Sequence, residues 1–466
     1  MQLQKLSKTT LMVVLAAITT GSAAQERHEF SVRQSVDYAV KNSVQVKNAL
    51  LDVKIQDQTN RELTAAAFPQ LNANLGSTYY PNVAVQSFPN FIAQGTYGVL
   101  QAEGVKNGSG APITSPTDYG LIQAQFGTKW VANAGVTLSQ ILFDGQVFVG
   151  LQARETALAF YDKGKEVTEE NIKSNVYKVY YSLIASKTQV TLLDANLDRL
   201  AKLQHDTKIM YDNGFAEKLD IDKIDVQISN VETQKLKTLN AVNNGYLGLK
   251  LLIGMPIKDS LLLTDTLTYD QIRVGLLESE NFRYEDRKEY QFLELNRKLN
   301  EYNIKRYRMT YLPTANLNAA YNKNAQRNQW DFLTGDYFTS SYIGLSINIP
   351  IFDGFAKDAR IKKSKFQLQQ TVNQMDNLKI SIDNDIAQAR SSFTTAIATL
   401  DNQRKNMKLA ENVYDQTKKK FEIGTGSNTE ITSAQTDLQQ AQTNFVQALY
   451  DAIVAKVDYF KATGKL

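Results

Sequence analysis

The chain has 466 residues, with 52 Lys or Arg, 48 Asp or Glu, 24 Gly, 8 Pro, 2 His and no Cys. The missing Cys excludes disulfide scaffolds, thiol nucleophiles, Cys-ligated zinc, iron–sulfur clusters and acylation of an N-terminal Cys, and two His leave little basis for histidine metal or acid–base chemistry. The net charge of +4 falls to +2 once Lys5 and Lys8 are set aside with a removable leader, so nothing electrostatic argues for nucleic acid as a partner.

Residues 1–24 read as a secretory signal peptide. Lys5 and Lys8 precede the apolar run Leu11 to Ile18, and Ser22-Ala23-Ala24 supplies small residues for cleavage before Gln25. That run is too short to span a bilayer, and no later stretch approaches the roughly 20 apolar residues of a transmembrane helix. Two destinations follow: soluble export, or an outer membrane entered as β-strands.

The mature chain reads as two similar halves. The first, 25–255, starts with a helix from about 31 to 68 that Pro69 ends. Strands at 70–80 and 129–139 flank a Gly-, Ser-, Pro- and aromatic-containing loop at 81–125, expected on the cell exterior. A Pro-free span at 146–211 predicts one very long helix, and 217–253 a shorter returning one. A linker or equatorial segment, 256–283, leads to the second half, 284–466. There the elements recur as a helix to about 312 closed by Pro313, strands at 314–322 and 342–349 around a shorter loop at 323–340, a long helix at 355–420 and a return helix at 429–462.

Apolar heptads support the long helices. Ile172, Val176, Val179, Leu183, Ser186, Val190, Leu193, Leu197 and Leu200 alternate spacings of four and three, and Ile382, Ile386, Ala389, Phe393, Ala396, Leu400, Gln403, Met407 and Ala410 keep the spacing and most of the apolar character about 210 residues later. A 3.5-residue period means coiled-coil packing. In the strands the period changes to two. Leu71, Ala73 and Leu75 oppose Asn72 and Asn74, and Ile343, Leu345, Ile347 and Ile349 oppose Tyr342, Gly344, Ser346 and Asn348. Strands of about ten residues with one apolar face suit an outer-membrane wall with a wet lumen; ordinary hairpins over a soluble core are the plainer reading of the same alternation. Four strands cannot close a barrel, because about eight is the minimum and an open edge in lipid leaves unpaired backbone groups. The chain must then oligomerise, and three copies supply twelve strands.

Two junction motifs repeat: Leu138-Ser139-Gln140-Ile141-Leu142-Phe143-Asp144-Gly145 and Ser346-Ile347-Asn348-Ile349-Pro350-Ile351-Phe352-Asp353-Gly354. So do two turns, Tyr211-Asp212-Asn213-Gly214 and Phe421-Glu422-Ile423-Gly424-Thr425-Gly426. With the heptads and strands, these motifs make the chain resemble the TolC family of outer-membrane channel proteins over nearly all of its mature length. The resemblance implies a mixed fold of membrane β-barrel and all-α coiled-coil tunnel, with four strands per chain in a homotrimeric 12-stranded barrel. It implies an outer-membrane location in contact with lipid and a large periplasmic portion. It also implies service as the exit duct of a tripartite efflux pump or type I secretion system, with a periplasmic adaptor and an inner-membrane transporter of RND, ABC or MFS type.

By the same resemblance, Gly214, Gly424 and Gly426 mark periplasmic tips that meet the adaptor, and Asp220, Glu430, Phe421 and Tyr211 are gate or selectivity candidates. Three copies each of Asp220 and Glu430 would form carboxylate rings; the plainer role for both is in the first turn of the following helix, where the dipole favours a negative charge. The best-known gate of the family uses a Tyr and an Arg where this chain has Phe421 and Gly426, so its closing contacts must differ. Phe143, Asp144, Gly145, Pro350, Phe352, Asp353 and Gly354 mark the barrel-to-tunnel bend, where Gly allows unusual backbone angles and Asp can cap the long helix. No catalytic, cofactor or metal motif is present, so the chain is not read as an enzyme. The rival readings are a periplasmic coiled-coil adaptor, which should lack the alternating strands, and an exported enzyme with a helical accessory domain, which would need a polar cleft.

Overall fold

Pro69 and Pro313 each remove a backbone donor and bias the preceding residue away from the helical region. At both, helix gives way to strand in the computed structural model, which describes residues 27–269, 272, 282–332 and 335–466. The expected signal peptide lies outside the described residues. In chain order the elements are β1 (Arg27–Phe30), α1 (Val32–Asn42), α2 (Val44–Ala65), β2 (Gln70–Tyr79), β3 (Val85–Pro89), α3 (Phe91–Ala102), β4 (Leu121–Gln125), β5 (Trp130–Phe143), α4 (Gly145–Asp212), α5 (Lys218–Ile253), β6 (Ser260–Leu263), α6 (Lys288–Met309), β7 (Thr314–Arg327), β8 (Phe338–Asn348), α7 (Ala356–Glu422) and α8 (Asn428–Ala462). Two units result: a helical unit of residues up to Gln58 with Ala153–Glu301 and Ser364–Leu466, and a sheet unit of Thr59–Gln152 with Tyr302–Lys363.

The sheet unit is built on one antiparallel sheet in the order β2-β5-β7-β8. Its register places alternate residues of all four strands on common faces. Leu71 lies opposite Leu138, Leu138 opposite Ala319, and Ala319 opposite Ile343, so this row is apolar throughout. The next row but two, on the other face, joins Asn74, Gly135, Asn322 and Ser340, and its neighbour joins Gly76, Asn133, Asn324 and Phe338. One face is therefore mainly apolar and the other mainly polar and rich in carboxamides. Glycine is needed on the second face: a Cβ on Gly135 would lie 2.0 Å from the Asn322 Oδ1, and one on Gly76 would lie 2.5 Å from the Asn133 Oδ1. Aromatic rings gather at one end, with Tyr79 and Trp130 4.6 Å apart and Trp130 and Trp330 4.7 Å apart.

Three expectations need correction here. Residues 81–125 are not simply a loop, because β3 and β4 pair antiparallel and α3 runs between them from an Asn90 cap whose Oδ1 accepts from Ala93 N–H at 2.9 Å. Gly95 and Gly98 inside α3 weaken the helix signal that would have announced it. β7 and β8 extend past their expected ends: Ala325 still pairs with Ala132 and Asn324 with Phe338, although most of the run from Lys323 to Arg327 is polar. The helix expected from 31 to 68 is broken at Ser43, where φ −55° and ψ 132° leave the helical region.

That break belongs to the packing of the helical unit. α5 ends in a left-handed Gly254 (φ 75°), and a Cβ there would sit 2.3 Å from the Asn42 carbonyl oxygen, so the end of α5 seats directly on the α1–α2 joint. Nearby, the linker expected at 256–283 supplies β6, which pairs in parallel with β1. Asp265 fixes this corner: its Oδ2 accepts from Val32 N–H at 2.7 Å, and its own N–H donates to the Tyr180 hydroxyl, which donates to the Phe30 carbonyl at 2.9 Å. The heptads supply the cores. Ile172, Val176, Leu183, Leu193 and Leu200 of α4 and Ile382, Phe393 and Leu400 of α7 are all buried, each side chain contributing about 1.5–3 kcal/mol.

One buried charge works against this packing. Glu170 is 6% exposed and its Oε2 has no hydrogen-bond partner. Burial, reinforced by the nearby Glu289, pushes its carboxyl above the ordinary range, against the pull of Arg287, Lys461 and Lys288. A raised folded-state value gives stability that is fully present below the ordinary carboxyl pKa and is lost as pH rises through the raised one. Glu170→Gln should therefore melt at a higher temperature than the wild type near neutral pH and at the same temperature in acid, as read by thermal unfolding in detergent. By the same measurement, Gly254→Ala should lose about 2 kcal/mol or more through its left-handed backbone and its clash with Asn42. Gly95→Ala, whose Cβ would meet nothing within 4 Å, should gain about 0.5–1 kcal/mol of helix stability.

Candidate functional site: interhelical turns and strand-to-helix junctions

Each long helix ends in the same hydrogen-bonded device. Gly214 takes φ 81° and Gly424 φ 77°. Gly214 N–H donates to Tyr211 O at 2.9 Å and Phe215 N–H to Met210 O at 2.8 Å; Gly424 N–H donates to Phe421 O at 3.0 Å and Thr425 N–H to Lys420 O at 2.9 Å. These pairs satisfy the last carbonyls of α4 and α7 and reverse the chain within a few residues. Gly426 is not left-handed; it is close-packed instead, since a Cβ there would lie 3.0 Å from Phe421 N.

The helices that follow start on the two acidic candidates. Glu430 Oε2 accepts from Ser427 N–H at 3.3 Å while Ser427 Oγ accepts from Glu430 N–H at 3.2 Å, a reciprocal capping box. Asp220 Oδ2 accepts from Glu217 N–H at 3.3 Å, with Lys223 Nζ 3.9 Å from its other oxygen. Both carboxylates thus occupy helix N-termini, where the dipole favours them. Asn428, which sequence reasoning missed, joins the two turns by donating from Nδ2 to the Asp220 carbonyl at 3.1 Å.

The aromatic candidates separate. Phe421 is 6% exposed and packs in a core with Leu203, Ile224, Tyr414 and Ile431, so within this chain it holds helices together. Tyr211 is 42% exposed. Above the turns a polar ladder crosses the seam between α4 and α8: Gln435 Nε2 donates to Asn196 Oδ1 at 3.0 Å, and Asn196 Nδ2 donates to Gln442 Oε1 at 3.3 Å. Asn428, Gln435 and Gln442 are spaced by seven, a signal visible in the sequence that an apolar heptad search passes over. Buried amides at such positions fix helix register. Arg199 lies over the Tyr414 ring at 5.9 Å, and burial pushes the Tyr414 hydroxyl up.

At the junctions of the sheet unit, Asp144 Oδ1 accepts from Gln146 N–H at 2.8 Å and Asp353 Oδ2 from Lys357 N–H at 2.9 Å, capping α4 and α7. The two bends nevertheless differ. Gly354 and Phe355 are both left-handed, at φ 65° and 67°, which strains a bulky residue. Gly145 is not left-handed; its smallness lets Met309 approach, since a Cβ would lie 2.7 Å from the Met309 Cβ. Phe143 is the last residue of β5, with its ring 5.6 Å from Phe148, whereas Pro350 and Phe352 lie beyond β8, and Phe352 stays exposed with its ring 5.5 Å from Phe355.

Among the described residues no cluster of His, Asp and Glu could hold a metal ion, and no helix is long and apolar enough to cross a membrane. The chain matches the family described as Outer membrane efflux protein over residues 285–465. It is 23% identical to Outer membrane efflux protein BepC of Brucella suis over 98% of this chain and 89% of that one, and 20% identical to Outer membrane protein TolC of Vibrio cholerae over 72% and 77%. Among solved structures, that of CusC superimposes with a TM-score of 0.71 at 15% identity, covering 93% of this chain and 92% of that one; that of the Campylobacter jejuni CmeC outer membrane channel gives 0.69 at 15% identity over 93% and 85%. These likenesses show one shared fold of barrel strands and helical tunnel. In sequence and in fold, the chain resembles the outer-membrane efflux proteins of the TolC family.

Proposed function

We propose that three copies of this chain close a 12-stranded barrel and that the trimer is the passive exit duct of a tripartite efflux pump or a type I secretion system. A periplasmic adaptor would join it to an inner-membrane transporter, which supplies the energy. The observation that carries this reading is the sheet itself. Among the described residues β2 pairs only with β5 and β8 only with β7, so both edges are left unpaired. β8 runs antiparallel to β7, β7 to β5 and β5 to β2, which leaves β8 of one copy in the right sense to pair with β2 of the next. The aliphatic face, with Leu75 85% and Ile343 81% exposed, has the chemistry of a lipid-facing wall. A periplasmic adaptor or an exported enzyme would have no use for such a face.

The interhelical turns would form the gate. Three copies each of Asp220 and Glu430 would favour cations in a narrow opening, and the capping roles of both residues would hold the carboxylates in place. Protein extracted in mild detergent should have the mass of three chains and should give discrete conductance steps in planar bilayers. A monomer, or silent bilayers, would remove the reading.

The Asp220→Asn, Glu430→Gln double variant retains a side-chain oxygen at each cap, so its stability should stay within about 0.5 kcal/mol of the parent. Its cation-over-anion permeability ratio, read from reversal potentials, should fall about twofold or more. An unchanged ratio would leave the two residues with capping alone.

A further inference from the structure

We infer that the barrel section of the conduit is a charge-neutral passage lined by free carboxamides, which hydrogen-bonds cargo without discriminating by sign and leaves charge selection to the interhelical turns. The inference rests on the trimeric duct proposed above, because it takes the carboxamide face of the sheet as the lumen wall.

The four strands contain only two charged side chains, Lys323 and Arg327. Both fall on the aliphatic face by register: Lys323 lies opposite Ala134 and Thr339, in the row of Leu75, and Arg327 lies opposite Trp130, in the row of Tyr79. Arg327 is also paired with Asp331 at 3.0 Å. Near the aromatic end of the sheet, long basic stems can reach past the rings to water. Within the four strands the opposite face carries no fixed charge in any row; the nearest, Lys129, stands one residue beyond β5 at the aromatic end, its carbonyl accepting from Tyr80 N–H at 2.7 Å.

That face is not inert. Among the described residues no hydrogen bond engages the side-chain carboxamides of Asn74, Asn133, Asn318, Asn322 or Asn324. The two nearest to glycine lean over it, with the Asn322 and Asn133 oxygens filling the space above Gly135 and Gly76. Each carboxamide offers two donors and an acceptor, so the wall can replace water around a polar solute of either charge. A wall without fixed charge also sets up no field to concentrate one sign of ion.

The absence of Cys from the chain makes a direct test possible. Single variants Asn322→Cys and, as a second position, Asn133→Cys would be placed in bilayers and treated with a cationic and an anionic methanethiosulfonate of similar size. Both reagents should reduce conductance. Their rates, each divided by its rate with a free thiol, should agree within about threefold. Tyr321→Cys, on the aliphatic face, should respond to neither. A normalised preference of about tenfold or more for either sign would overturn the neutral passage, as would conducting channels in which neither Asn variant responds. Protein that forms no channels before any thiol is introduced would instead overturn the duct reading itself.

Discussion

A backbone N–H or C=O left unpaired in hydrocarbon costs several kcal/mol, and the rest of this protein is arranged around that cost. Among the described residues the sheet leaves β2 and β8 without outer neighbours, and these two open edges are what the proposed trimer would close. The sides of the sheet are fixed by the same demand. In the proposed barrel the aliphatic residues would face lipid, which by the two-residue period of a strand gives the other face most of the Asn, Ser and Gly.

The helical unit solves a different problem, that of keeping very long helices in register. α4 has 68 residues and α7 has 67, and at 1.5 Å per residue each extends about 100 Å. A purely aliphatic seam of that length could slip by a heptad at little cost. The hydrogen bonds among Asn196, Gln435 and Gln442 oppose such slippage, since a shifted register would bury them without partners. The turns at Gly214 and Gly424 and the caps at Asp220 and Glu430 then define the ends, so the residues proposed for the gate are also the ones that hold its shape.

Much of this was legible in the residues. Prolines at 69 and 313, the heptad from Ile172 to Leu200 and the alternation from Ile343 to Ile349 each state a period, and a period implies an element. What escaped was local or long-range. The break at Ser43 carries no Gly or Pro signal, because its cause is the fit of Gly254 against Asn42, more than 200 positions away. The pairing of β1 with β6 joins short segments whose register comes from the tertiary fold. α3 was hidden by its own glycines. Within the candidate site, Asp220 and Glu430 could be found by spacing, but the burial of Phe421 could not, because an aromatic ring before a turn looks the same whether it faces a pore or a core.

The central pairing of the sheet has a consequence for biogenesis. β5 and β7 meet at Trp130 and Arg327, about 200 residues apart in the chain. Contacts of such separation form slowly, because the intervening chain must be made and brought back first. Until then the β2–β5 hairpin shows aliphatic side chains and an open edge to water, the condition under which strands aggregate. The first half of this sheet is therefore unprotected until the second half arrives, and it stays exposed for longer than a sheet assembled from consecutive hairpins.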